Sequence, residues 1–366
     1  MTTVEGTAGG SPPAVPRRQP EATPPTERGR RALEWLRASE TGAWRWTARV
    51  AVLLPFAALA FAVAVLAVKA YPAARVNGAG FFTGSAWKIG STYAPTVRTD
   101  GVAHPFGSTY GAWPLIAGTL QTSVIAVVIA LPISIGCAFA LTERLPRWIS
   151  RPLGFAIELL AGVPSVVLGL WGVLTFGPYL SRTLYPFIAD HLPNVPVLNF
   201  FRGSVGHGEG LLTGSLVLTL MIVPIITATT ADLFRQVPAL PKEGGQALGM
   251  TDFEVANRIT LRWVRSGIIG ATVLGLGRAL GETMALVLTT GAIFRLAPNI
   301  YSPMSTIATA IATQLDSSLT DGTGFAVASI AELALVLAVI SVLVNLSARW
   351  IVHRTARLGG PVGRGA

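Results

Sequence analysis

Residues 268–294 read IIGATVLGLGRALGETMALVLTTGAIF. Apart from one arginine and one glutamate the run is apolar or small, and it is longer than the about 20 residues a helix needs to cross a bilayer. Five further stretches have the same character, at 50–71, 114–141, 153–179, 211–233 and 325–350. Together they predict an all-α integral membrane protein with six transmembrane helices. A β-barrel would show short alternating strands instead, and the sequence has none. Within the quoted run, Arg278 and Glu282 fall near the middle. A charge at that depth costs about 2.5 kcal/mol or more on insertion scales, so such residues usually face a protein interior or a watery path.

The remaining composition agrees. Of 366 residues, 51% are hydrophobic and only 13% charged, where a soluble domain carries about 25% charged residues. The formal charge of +10 does not point to nucleic acid, because the cations sort by loop. Most of the 28 lysines and arginines lie in the N-terminal tail, in 142–152 (Arg144, Arg147, Arg151), in 234–267 (Arg235, Lys242, Arg258, Arg262, Arg265) and at the C-terminal end. Cytoplasmic loops retain basic residues, which predicts both termini inside a multi-pass protein of the cell membrane, with the lipid bilayer as a partner. Cys137 is the lone cysteine, and His104, His191, His207 and His353 show no metal-ligand spacing, so no metal site is expected.

Residues 1–46 read as a basic tail. The first 27 are rich in Pro, Gly and Thr, the composition of disorder, and 28–46 combine arginine with Trp35, Trp44 and Trp46. That pattern suits a short helix on the inner membrane surface, or simply a positive anchor that fixes topology. A transmembrane domain is expected over 47–357, then a short tail at 358–366. Loops at 72–113 and 180–210 are too polar for lipid and are read as outer connections or docking surfaces. Within the third span Pro164 predicts a break or kink.

The inner segment 235–266 is longer than a turn and has a helical pattern of its own. Pro238 and Pro241 stop the fourth span. A short helix is expected over 243–248, with Gly249 as its stop and Thr251 or Asp252 as the next cap. Phe253, Val255, Ala256 and Ile259 then form an apolar stripe. Such a helix–glycine–helix element is either a docking knob for a soluble partner or a connector packed on its own bundle.

Arg278 and Glu282 are four residues apart, and so project from one face of a continuous helix. Gly277 and Gly281, with Gly270 in line before them, form a stripe of small residues that admits another helix closely. An arginine fork suits a tetrahedral oxyanion, with Glu282 neutralising it when empty or accepting a proton-bearing oxygen. The other reading is an internal ion bridge, and the residues leave both open. Glu332, inside the last span, is a candidate partner for Arg278 or for a neighbouring subunit. Thr227, Thr229 and Thr230 are expected to bond to their own helix. No lysine follows a glycine, which excludes a phosphate-cradling nucleotide loop, so active transport here needs an ion gradient or a separate ATPase. No nucleophile–base set supports an intramembrane enzyme.

The segment Glu243-Gly244-Gly245, Gly249, Ile259 and Leu261 resembles the Glu-Ala-Ala loop of binding-protein-dependent ABC importers in its spacing. Glycines replace both alanines, and Arg262 stands where proline is usual. Further stretches, Arg151 to Gly154, Ile157 to Ala161, Val163-Pro164-Ser165 and Gly275 to Ala285, resemble PstC-type permeases of the bacterial phosphate importer, over roughly residues 47–355. The resemblance implies a type I ABC importer permease fold with a cytoplasmic coupling helix at 238–265. It implies partners: a second homologous permease (PstA-type), two ATPase subunits (PstB-type) that use ATP and Mg, and an extracytoplasmic phosphate-binding protein (PstS-type). No cofactor is expected on this chain. It places Arg278 and Glu282 on the family's charged pair in phosphate passage. Nearby alternatives are the companion permease, or a permease for sulfate or molybdate. An ion-coupled carrier is the more distant one, and would need no such loop.

Overall fold

The computed structural model describes residues 27–358, apart from 92, 93, 194, 196 and 197. The expected disorder of the tail and the C-terminal residues from 359 on lie outside the described residues. The chain divides into one unit ending at Ala62 and another beginning at Val63. Helix α1 (Glu27–Asn77) contributes to both and has 51 residues. Residues 28–46 are helical, within α1. All that follows concerns the second unit.

A single turn, α2 (Gly80–Thr83), leads into two small antiparallel pairs. Strand β1 (Trp87–Lys88) pairs with β4 (Thr109–Tyr110), and β2 (Val97–Thr99) with β3 (Val102–His104). Asp100 and Gly101 join the inner pair with φ of 52° and 81°, the two positive values that a tight hairpin requires. Tyr110 anchors this cap, its ring 5.0 Å from Trp87 and 5.7 Å from Phe325. Burial, with the nearby charge of Asp321, pushes its phenol above the usual range.

The second span is α3 (Trp113–Phe139), extended by a π-helical turn to Arg144. The third is not straight. Helix α4 (Arg147–Ala161) meets the run formed by α5 (Ser165–Trp171), α6 (Gly177–Arg182) and α7 (Leu184–His191) at a bend of 94°. Pro164, with no N–H to give the preceding turn, caps α5 in an extended conformation. The predicted span 153–179 thus breaks within the motif that carries its proline. The fourth span is α8 (Leu211–Arg235); then come α9 (Ala239–Ala247), α10 (Asp252–Val255), α11 (Leu261–Gly281), α12 (Met284–Thr289), α13 (Ile307–Leu319) and α14 (Phe325–Leu358). Among the described residues five helices are long and apolar enough to cross a membrane, six when the bent pair is one span. That is the number predicted.

Helix α8 is the hub, packed along α3 and α11. Its Leu218, Ile222 and Ile226 are fully buried, against Ala126 and Ala130 of α3 and Ala271 and Ala279 of α11. Small residues on the flanking helices let the large ones of α8 seat closely, and in a bilayer it is this packing that holds helices together. Of the threonines expected to bond to their own helix, Thr229 does so, to Ile225 O at 2.9 Å. Thr227 and Thr230 do not; both hydroxyls are buried without a partner.

Candidate functional site

Helix α11 presents two different sides. Val264, Ile268, Ala271, Gly275 and Ala279 are buried. A Cβ on Gly267 would lie 2.6 Å from Leu233, and one on Gly275 would lie 2.9 Å from Ile226. The glycines that admit a helix within this chain are therefore Gly267 and Gly275. At Gly270, Gly277 and Gly281, expected to do so, an added methyl would meet nothing within 4 Å. The reason is phase. Residues 267, 271, 275 and 279 recur every four positions along the α8 contact, whereas 270, 277 and 281 lie on the other side. Gly267, Ala271, Gly275 and Ala279 are also small residues at helical spacing, and spacing alone does not say which of the two stripes meets a neighbour.

The fifth span also ends early. After Gly281 the backbone leaves the helix, with Glu282 at φ −70° and ψ 127°. The Thr283 hydroxyl donates to Gly281 O at 3.2 Å, taking one carbonyl that the missing next turn leaves open. Helix resumes only as α12. Arg278 sits in the last turn of α11 and is exposed; Glu282 is partly buried beyond its end. The four-residue spacing does not place the two on one helix face. Among the described residues neither takes part in an ion pair. A cation in the last turn of a helix is favoured by the carbonyls there, so Arg278 can hold its charge without Glu282 in contact. Glu332 lies elsewhere. It is buried and accepts a hydrogen bond from Asn77 Nδ2 at 3.0 Å, not a contact from Arg278.

The inner element follows its sequence in outline, but its first helix runs Ala239–Ala247, not 243–248, and holds Pro241 in its first turn, where a missing N–H costs nothing. Pro238 caps α9, and Gly249 turns the chain at φ 82°, a left-handed value that glycine adopts at no steric cost. Thr251 starts α10 with a reciprocal cap: its hydroxyl accepts from Glu254 N at 3.3 Å, and its own N–H donates to the Glu254 carboxylate at 3.0 Å. Gly245 is buried, and a methyl there would come within 2.6 Å of Ile259 and 3.2 Å of Val255. The glycine in place of alanine thus lets Ile259 seat against α9. Leu261 is partly buried, and Glu243 and Gly244 are exposed. The expected stripe is only half right, since Val255 and Ala256 are buried but Phe253 is 64% exposed. With Leu240 at 80% and Leu248 at 83% exposure, it leaves large apolar groups bare on an otherwise polar element. Two contacts not foreseen tie the element to the end of the second span: Lys242 to Glu143, and Arg144 to Asp252. No periodicity could have revealed them, because each joins residues about a hundred positions apart.

A bundle of apolar spans carrying such a projecting element defines a class. Residues 130–357 match the family described as the inner membrane component of binding-protein-dependent transport systems, and the chain belongs to that family. Among its relatives is the phosphate transport system permease protein PstC 1 of Mycobacterium tuberculosis, 54% identical over 334 residues, 90% of this chain and 99% of that one. The PstC protein of Mesorhizobium japonicum is 39% identical over 279 residues, 76% of this chain and 84% of its own. That of Haemophilus influenzae is 40% identical over 256 residues, covering 70% and 80%.

Proposed function

We propose that this chain is the permease subunit of an ATP-driven importer that carries inorganic phosphate inward across the bacterial cell membrane by alternating access. The observation that carries the reading is Arg278: an exposed guanidinium at the break of a membrane span, with no ion pair among the described residues. Such a group offers two parallel charge-assisted bonds to a tetrahedral anion and stays protonated throughout. Its exposure suits a site that must release what it receives. Glu282, across the break, accepts a hydrogen bond from the protonated oxygen of the monoanion. The 54% identity to a phosphate transport permease supports phosphate over other oxyanions.

In this reading the bare side chains Leu240, Leu248 and Phe253, with exposed Glu243, meet a cytoplasmic ATPase subunit. ATP and Mg are used there and not on this chain. A second permease of the same family completes the path, and an external phosphate-binding protein delivers the anion and sets most of the selectivity. Both termini are cytoplasmic.

The test is labelled phosphate uptake in cells lacking this chain, with sulfate as competitor. Uptake should fall to background, return with the gene, and resist excess sulfate. Unchanged uptake without the chain, or uptake abolished by sulfate, would reject the proposal.

A further inference from the structure

The inner element has two covalent exits. One passes through Gln236 to Pro238 into α8; the other is a π-helical turn, Ala256–Thr260, leading into α11. Val237 of the first exit and Leu261 after the second share an apolar cluster with Ala138 and Phe139 of α3. The element's own helix is joined to the end of the second span by an ion pair: Lys242 Nζ donates to Glu143 Oε1 at 2.5 Å. The two side chains are 20% and 27% exposed, so the pair is partly shielded from water. Beside it Arg144 faces Asp252 at 3.8 Å, and Gln246 donates to that same carboxylate at 3.2 Å. Arg144 and Asp252 are both exposed, and an exposed pair contributes little. The weight falls on Lys242 and Glu143.

The pair closes one side of a cleft of about 120 Å³ that is also lined by Phe139, Val255, Ala256 and Thr260. The Thr260 hydroxyl is buried there without a partner. The junction is therefore not tightly packed on this side, and the pair bridges the space. Glu143 itself is in the π-helical end of the span that runs from Trp113 to Arg144. That span packs along α8 and touches α11, so whatever moves its end moves against the core of the bundle.

We infer that Glu143 and Lys242 are positioning residues for coupling: a strut by which displacement of the inner element is passed to the second span. The inference rests on the proposed reading of the chain as an ATP-driven permease. Separating a partly shielded pair leaves each charge short of its partner before hydration is complete, so the contact resists displacement more than the exposed pair beside it. Without it the element remains attached and docked, but its movement is taken up by the π-helical turn.

The experiment uses the whole importer in proteoliposomes, with phosphate entry and ATP hydrolysis measured in the same vesicles. Glu143→Gln and Lys242→Gln should each lower the phosphate moved per ATP hydrolysed by at least about fivefold, with the ATPase co-purifying as in wild type. Lys242→Arg, which keeps the charge, should hold the ratio near wild type. The double variant E143K/K242E should recover it above either single reversal. A wild-type ratio in both glutamine variants overturns the inference. So does a glutamine variant whose loss is explained by lost ATPase recovery, since the pair would then only maintain the docking shape. Wild-type vesicles that hydrolyse ATP and move no phosphate would instead reject the proposed function.

Discussion

Helices α8 and α11 are neighbours of similar length with opposite situations. Of the apolar stretch of α8, 72% is buried inside the chain; of the stretch in the span ending at Gly281, 28% is. Each carries polar groups, and the difference decides what they do. In α8, Thr213, Ser215, Thr219, Thr227 and Thr230 are all buried, and Ser215 and Thr219 bond back to carbonyls of their own helix at 2.7 and 2.8 Å. They belong to the packing. In α11 Thr272 likewise bonds back to Ile268 O at 2.8 Å, but Arg278 stands at the end of the helix, on its open side. A charge there is reachable by a solute, while a hydroxyl in α8 is not.

The sharpest way to break this comparison is one substitution made twice. Gly275→Ala puts a methyl 2.9 Å from Ile226, itself fully buried. Overpacking of this kind costs about 1–3 kcal/mol, and the thermal midpoint of the purified importer should fall. Gly277→Ala meets nothing within 4 Å and removes a helix-weakening glycine, so stability should rise by about 0.5–1 kcal/mol. Equal losses in both would mean that α11 has no open side. A smaller effect refines the α8 half. Thr227→Val replaces a buried hydroxyl that has no partner, and stability should stay within about 0.5 kcal/mol of wild type or rise slightly. A loss of several degrees would show that the hydroxyl is bonded in the membrane.

Much of the fold was legible because membrane spans are written in composition. The spans at 114–141, 211–233 and 325–350 lie inside the observed helices Trp113–Arg144, Leu211–Arg235 and Phe325–Val352. The inner element was legible too, since Gly249 and the Thr251–Glu254 cap are local signals. The failures were of two kinds. Hydropathy counts residues and does not see backbone breaks, so Gly281–Glu282 was read through as continuous helix, whereas Pro164 marked the break in the third span. The Arg278 and Glu282 pairing followed from that error. The second kind needs the tertiary structure: which glycine stripe packs is set by the phase of α11 against α8, and Lys242 meets Glu143 only after both helices are placed. The Asp100-Gly101 hairpin is different. Its turn signal was in the sequence, and the flanking strands are merely too short to show alternation.

The proposed path depends on Arg278, and one measurement tests it most directly: labelled phosphate uptake by proteoliposomes carrying the complete importer with Arg278→Ala. Losing a charged partner in two hydrogen bonds removes about 1.5–3 kcal/mol for each. Uptake is therefore expected at least about a hundredfold below wild type, with every subunit still assembled. Uptake at the wild-type rate would contradict a role for this guanidinium in carrying the anion.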